Sequence, residues 1–213
     1  MKKLKIFALL VVVLFLFITS FVATTIAKYI KEENSASFNL SVRVEGKIDI
    51  ALTDGMAIPP ETDTEWTTHN IPVIPGTSAD FNPYVRVGAG SEPAYLFIEV
   101  TPKGSGEYDF DDLITIGINS GWRKLDSATS ETTTVYYWEG DVAKSAEAQY
   151  FPITASGIAM FSDSITEADL GSFHVNGFPQ ITIKAYAVQK TKLAGTDGAK
   201  EETPSAAWDY LKG

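Results

Sequence analysis

From Phe38 the apolar side chains fall on alternate positions, Phe38, Leu40, Val42, Val44, Ile48, Ile50 and Leu52, with Asn39, Ser41, Arg43, Glu45, Lys47 and Asp49 between them. A strand sends successive side chains to opposite faces, so this period of two predicts extended chain with one buried face. A helix would need a period of about 3.6, which the segment lacks. Gly46 sits where the next apolar side chain is due, and it predicts a bulge or bend that divides the run into two strands.

Residues 53–78 are rich in Thr, Asp, Pro and Gly and read as a long surface connection. A tight turn at Ile74-Pro75-Gly76-Thr77 closes it, and Trp66 packs down as a lid. A strand is expected from Ala79 to Val87, with Pro83 confining it to an edge or a bulge. The turn Gly88-Ala89-Gly90-Ser91-Glu92-Pro93 leads to a second strand, Ala94 to Thr101, with Ala94, Leu96, Ile98 and Val100 on one face; the two are expected to pair as a hairpin. Further extended pieces are Ile114 to Ile118, Gly121-Trp122 through Leu125 to Tyr136-Tyr137-Trp138, Phe151-Pro152-Ile153, and Ile158 to Phe161. In Gln180 to Gln189, Ile181, Ile183, Ala185 and Ala187 face one way, and Tyr186 and Val188 the other. Within the Tyr-Tyr-Trp run, Tyr137 shares a face with Val135, and Tyr136 shares the opposite one with Trp138. Helix is expected at the C-terminus, where Thr203 caps, Pro204 suits the first position and Ala206, Ala207, Trp208 and Leu211 form an apolar stripe. A second short helix is expected at Thr166 to Leu170. Seven to nine strands in succession without long intervening helices predict an all-β fold. It reads as an antiparallel two-sheet sandwich, jelly-roll or immunoglobulin-like, with a short C-terminal helix and a signal peptide in front.

The N-terminus has the pattern of an export signal: Lys2, Lys3 and Lys5, an uncharged run from Ile6 to Ala27, and within it a strongly apolar stretch from Ile6 to Ile18. The whole uncharged run is 22 residues, long enough to span a bilayer as a retained anchor. Its second half turns to Thr, Ser and Ala, however, and Thr25-Ile26-Ala27 puts small side chains at the positions a signal peptidase must admit. Residues 1–27 are therefore expected to be removed after Ala27. That leaves an extended segment, residues 28–37, ahead of a sandwich domain of residues 38–213. The cut removes three lysines and no carboxylate, so the formal charge moves from −10 to −13.

Such an acidic chain repels phosphate backbones, which argues against nucleic acid as a partner. There is no Cys, which excludes disulfides, thiolate metal sites and a cysteine nucleophile. His69 and His174 stand far apart with no H-E-x-x-H pattern. No G-x-S-x-G elbow or P-loop is present, and Gly88-Ala89-Gly90 lacks the helix that a dinucleotide site needs. Glu107, Asp109, Asp111 and Asp112 crowd four carboxylates into one loop, an oxygen-ligand set for calcium, although the glycine and terminal glutamate of an EF-hand are missing. A solvated acidic loop is the competing reading. No other cofactor is expected. Tyr136, Tyr137 and Trp138 are either a stacking platform for sugar rings or part of the core.

Several segments, in order along the chain, resemble the exported biofilm-matrix proteins of the TasA and camelysin type, which a SipW-like signal peptidase processes. Thr24 to Asn39, TTIAKYIKEENSASFN, is similar to the family's processing region and mature start, and Gly46-Lys47-Ile48-Asp49-Ile50 ends the strand that follows. Ile74-Pro75-Gly76-Thr77 and Gly90-Ser91-Glu92-Pro93-Ala94-Tyr95 resemble its P-G-x and G-x-x-x-A-Y elements. Gly121-Trp122 with Tyr136-Tyr137-Trp138 resembles its W…YYY region, and Ala185-Tyr186-Ala187-Val188-Gln189 with Ala206-Ala207-Trp208 its ending. The start Lys28-Tyr29-Ile30 departs from the family's small and aromatic start. The resemblance implies a jelly-roll sandwich whose copies assemble extracellularly, an N-terminal segment of one adding as a strand to the next, with Lys28, Tyr29 and Ile30 in that segment. The family's reported protease association has no ligand set to support it here.

The expectation is thus a secreted, non-enzymatic fibre subunit at the cell surface or in the extracellular matrix. Its partners would be copies of itself, the signal peptidase during export and other matrix proteins, with membrane contact only through the signal peptide before cleavage. The alternative is a monomeric surface module that binds a glycan or host ligand.

Overall fold

The computed structural model describes residues 35–45, 48–54, 67–190 and 203–212. The alternating run forms two strands as the pattern predicts, β1 (Ser35–Glu45) and β2 (Ile50–Asp54), and Gly46 between them lies outside the described residues. Then come β3 (Thr67–Pro72), β4 (Ser78–Asp80), β5 (Pro83–Val87), β6 (Ala94–Lys103), helix α1 (Phe110–Leu113), β7 (Ile114–Thr115) and β8 (Trp122–Lys124). A 3-10 turn (Asp126–Ala128), β9 (Thr134–Trp138), β10 (Gln149–Pro152), β11 (Ile158–Phe161), α2 (Glu167–Asn176), β12 (Gln180–Gln189) and α3 (Pro204–Lys212) complete the order.

The protein is mostly β, in three sheets. One has six strands in the order β3-β1-β12-β6-β9-β8, and the other two have three each, β10-β5-β2 and β4-β11-β7. The small sheets meet end to end. β4 leads into β5 and β10 into β11, and across the break Phe81 N–H donates to Gly157 O and Ile153 N–H to Pro83 O, each at 2.9 Å. Together they face the six-stranded sheet across one core, an arrangement compatible with a β-sandwich. Phe38 and Leu40 of β1, Ile98 of β6 and Ile183 of β12 supply one side, and Val85, Val87, Phe151 and Phe161 the other. The Phe38 and Phe81 rings meet with centroids 4.3 Å apart.

Five expectations are corrected. The six-stranded sheet is not wholly antiparallel, because β1 pairs with β12 in parallel, from Ser37 opposite Gln180 to Glu45 opposite Val188. Alternation fixes which face is buried but carries no strand direction, and these partners lie at opposite ends of the chain. The expected hairpin of Ala79–Val87 with Ala94–Thr101 does not form. β5 pairs with β2 and β10, and β6 with β12 and β9. The turn between them is instead tied to Asp49, just before β2, since Gly88 N–H donates to Asp49 O at 2.7 Å and Asp49 N–H to Ser91 Oγ at 3.0 Å. A Cβ on Gly88 would lie 2.0 Å from Asp49 Oδ2, so this approach requires glycine.

Pro83 does not confine its strand to an edge. It opens β5, the central strand of its sheet, at the one position where a missing N–H is tolerated, and its carbonyl is used. The connection at 53–78 contains β3, whose polar sequence Thr67–Pro72 gives no apolar alternation because it lies at the sheet edge. Trp66 lies outside the described residues. Twelve strands occur among the described residues, more than the seven to nine expected, because pieces as short as two or three residues still pair.

A second core lies on the outer face of the large sheet. There Phe97, Leu125, Val135, Tyr186 and Val188 pack under Ala207, Trp208 and Leu211 of α3. Thr203 caps this helix as the sequence predicts, its Oγ1 accepting from Ala206 N–H at 3.3 Å. β12 is consequently buried on both faces.

Phe38→Ala is expected to destabilise the chain by about 3–5 kcal/mol in denaturant unfolding, because the ring is fully buried and a cavity would remain. Gly88→Ala should destabilise as well, whereas Ala89→Gly, at an exposed neighbouring position, should change the midpoint little.

Candidate functional site

The acidic loop carries Glu107, Asp109, Asp111 and Asp112. In α1, a single helical turn, Phe110 and Leu113 point into the core, so Asp111 and Asp112 between them face solvent. Asp109 precedes that turn without capping it through its side chain. Glu107 lies exposed in the loop before it. Tyr108 turns away toward α2, and its hydroxyl donates to Asp169 Oδ1 at 2.6 Å. Asp169 also accepts from Thr166 N–H and Thr166 Oγ1, forming the capping box that starts α2. The Tyr108 and Thr166 hydrogen bonds hold the Asp169 carboxyl below the usual range, and the same carboxylate pushes the Tyr108 hydroxyl up.

The four loop carboxylates do not converge. Among the described residues no three His, Cys, Asp or Glu side chains come together to hold a metal ion. Asp111 and Asp112 instead line an open cleft of about 470 Å³ with Asp163, Thr77, Ser78, Thr115 and Met160. Its third carboxylate, Asp163, lies far along the chain, and no local spacing signals it.

The aromatic run is packed on both sides. Tyr136 and Trp138 lie against the main core, where Trp138 meets Trp122 and Phe151 edge to face at 5.3 and 5.1 Å between centroids. Tyr137 lies against the second core. The division of faces is as expected, and the rings serve packing rather than an exposed platform. Trp122 Nε1 donates to Pro152 O at 2.8 Å, pinning the β8 edge of one layer to the β10 edge of the other.

At the N-terminus, Thr25, Ala27, Lys28, Tyr29 and Ile30 lie outside the described residues. The described chain begins within β1, so Ser35, Ala36 and Ser37 of the expected free segment are already paired. β1 fills a slot between two strands, antiparallel to β3 from Ser35 opposite Pro72 to Leu40 opposite Thr67, and parallel to β12. Ala36 and Phe38 are fully buried, and Ser37 Oγ donates to Asn70 Oδ1 at 3.2 Å across to β3. Among the described residues β3 has no partner on its other side, and no helix is long and apolar enough to cross a membrane.

On the outer face, sequence reasoning missed an ionic lock. Lys212 Nζ donates to Glu99 Oε2 at 2.8 Å and to Tyr186 Oη at 3.3 Å, and stands 4.8 Å from the ring centroids of both Tyr186 and Trp208. Lys184 approaches the other Glu99 oxygen at 3.4 Å. Burial pushes the Glu99 carboxyl up, but the hydrogen bond and charge of Lys212 and the charge of Lys184 outweigh it and hold the group below its ordinary value. Burial likewise pulls Lys212 down, while hydrogen bonds to Glu99 and Tyr186 leave it raised.

No protein-family model matches the chain, and no curated protein matches it significantly.

The docking of α3 should therefore weaken at both pH extremes. The lowered Glu99 contributes stability above the ordinary carboxylate range, and that contribution is lost as pH falls through its folded value. The raised Lys212 contributes below the ordinary lysine value, and that contribution is lost as pH climbs through its folded value. Glu99→Gln should flatten the acid limb. Hydrogen exchange of the α3 amides across pH checks this, and an unchanged acid limb in the variant would refute it.

Proposed function

We propose that the chain is an exported structural subunit that polymerises outside the cell, as the TasA and camelysin type of matrix protein it resembles does, with a jelly-roll sandwich as the repeating unit. The observation that carries this reading is the placement of β1. An N-terminal strand held along both edges by backbone pairing is a piece that another copy can supply equally well. If β1 leaves its slot, β3 and β12 present facing rows of unpaired N–H and C=O groups, and the pocket for Phe38 stands open. Residues 28–34, with Lys28, Tyr29 and Ile30, would extend the donor beyond the paired region and lead it to the neighbour.

Cleavage after Ala27 by a SipW-like peptidase would free this segment, so the peptidase is a transient partner and the membrane is touched only before the cut. The −13 charge of the processed chain keeps copies apart by repulsion until salt, protons or divalent ions screen it. Other matrix proteins are further candidate partners. The packing of Tyr136, Tyr137 and Trp138 into two cores counts against a monomeric glycan-binding module, which needs exposed ring faces.

The chain has no Cys, so a designed pair reports strand exchange cleanly. In a chain beginning at Lys28 and carrying Ser37→Cys with Asn70→Cys, the disulfide is expected to join two chains in filaments and to close within one chain in monomers. Electron microscopy and non-reducing gels after incubation with salt, acid or calcium read both. Filaments with intrachain disulfides only would sink strand exchange, and monomers under every condition would sink the fibre reading.

A further inference from the structure

Asn176 ends α2, and Gly177 follows in the left-handed region at φ +88°. Both are exposed. Gly177 is the C-cap of the helix, and its backbone (φ +88°, ψ 151°) turns out of helical geometry there. Position 177 has no Cβ to crowd an approach of its nitrogen to the preceding side chain. The Asn176 side chain lies over the loop between β6 and α1, its Nδ2 donating to Ser172 Oγ at 3.0 Å and lying 3.1 Å from where a Cβ on Gly106 would stand.

The other asparagines are each obstructed. Asn82 precedes Pro83, which offers no N–H; Asn39 and Asn70 are held in strands before Leu40 and Ile71; and Asn119 is half-buried, with its Oδ1 accepting from Gly121 N–H at 2.9 Å. Asn34 lies outside the described residues.

We propose that Asn176 is a site of spontaneous deamidation that marks aged chains at the entry to β12. The Gly177 nitrogen attacks Asn176 Cγ, forming an N–C bond. The Cγ–Nδ2 bond breaks, and Nδ2 leaves as ammonia with the proton released from Gly177. Water then opens the resulting succinimide at either carbonyl, giving aspartate or isoaspartate at position 176. No oxidant or enzyme enters the balance.

The place gives the reaction its effect. A carboxylate there no longer donates to Ser172, and it adds negative charge beside the loop that carries Glu107 and Asp109. Isoaspartate also lengthens the backbone just before Gly177, whose carbonyl accepts from Ser105 Oγ, and before Pro179, whose carbonyl accepts from Ser37 N–H at 3.2 Å where the β1–β12 ladder begins. The modification is thereby coupled to the first residues of β1.

The test is peptide mapping by mass spectrometry of the full-length chain aged in warm, mildly alkaline buffer prepared in oxygen-18 water. A single heavy oxygen is expected at position 176, accumulating about tenfold or more faster than at Asn70 or Asn119. Asn176→Gln should lose the signal and keep the fold. An Asn176 that stays intact in the folded chain, while the same peptide released by protease deamidates, would overturn the proposal. Hydrogen exchange of the aged protein reads the coupling. Faster exchange at Ser37 and Phe38 than in aged Asn176→Gln is expected, and equal exchange would overturn the link to β1.

Discussion

The structure depends on one strand having to satisfy both faces and both edges at once. β12 is hydrogen-bonded along its length to β6 on one side and β1 on the other. It sends Ile181, Ile183 and Ala185 into the core between the layers, and Tyr186 and Val188 into the core under α3. A strand buried on both faces cannot alternate apolar with polar along its whole length, and Ala185-Tyr186-Ala187-Val188 indeed abandons alternation where the helix covers it. The lock on Glu99 follows from the same demand. A carboxylate beside a covered face must be matched, and Lys184 and Lys212 match it from two different elements.

What the sequence made legible is what local physics encodes. The division of the first alternating run into two strands, the faces of Gln180 to Gln189, the opposed faces of Tyr137 and Trp138, and the Thr203 cap all depend on residues within a few positions of one another. Thr166 likewise announced its helix, although the helix runs on to Asn176, beyond the expected end at Leu170. Pairing is a different quantity. That β5 turns to β2 rather than β6 depends on Asp49 meeting Gly88 and Ser91, and the parallel partnership of β1 with β12 depends on nearly the whole chain lying between them. Neither leaves a trace in periodicity.

The candidate sites divide along the same line. Four carboxylates close in sequence left a calcium set and a solvated acidic loop both open, and one helical turn with Phe110 and Leu113 in the core turns Asp111 and Asp112 out to solvent. The cleft that two of them do line takes its third carboxylate from Asp163. The slot that holds β1 could not be located at all from composition or spacing, because it is made of the backbones of two strands distant in sequence. Lys212 reads as an ordinary charged residue near a helix end until the fold sets Glu99, Tyr186 and Trp208 around it.

The parallel register of β1 on β12 has a mechanical consequence. β1 starts at the end of the sheet where β12 starts, and the chain leaves β12 at the opposite end. Tension applied to the N-terminal side of β1, against a subunit held through the end of β12, therefore acts along the strand axes. Nine registered residue pairs, Ser37 with Gln180 through Glu45 with Val188, are loaded together in shear instead of being peeled apart one at a time. In the proposed filament, where the strand in that slot comes from the neighbouring copy, the joint between subunits would share every load across the whole ladder, and the polymer would resist pulling most strongly along its own length.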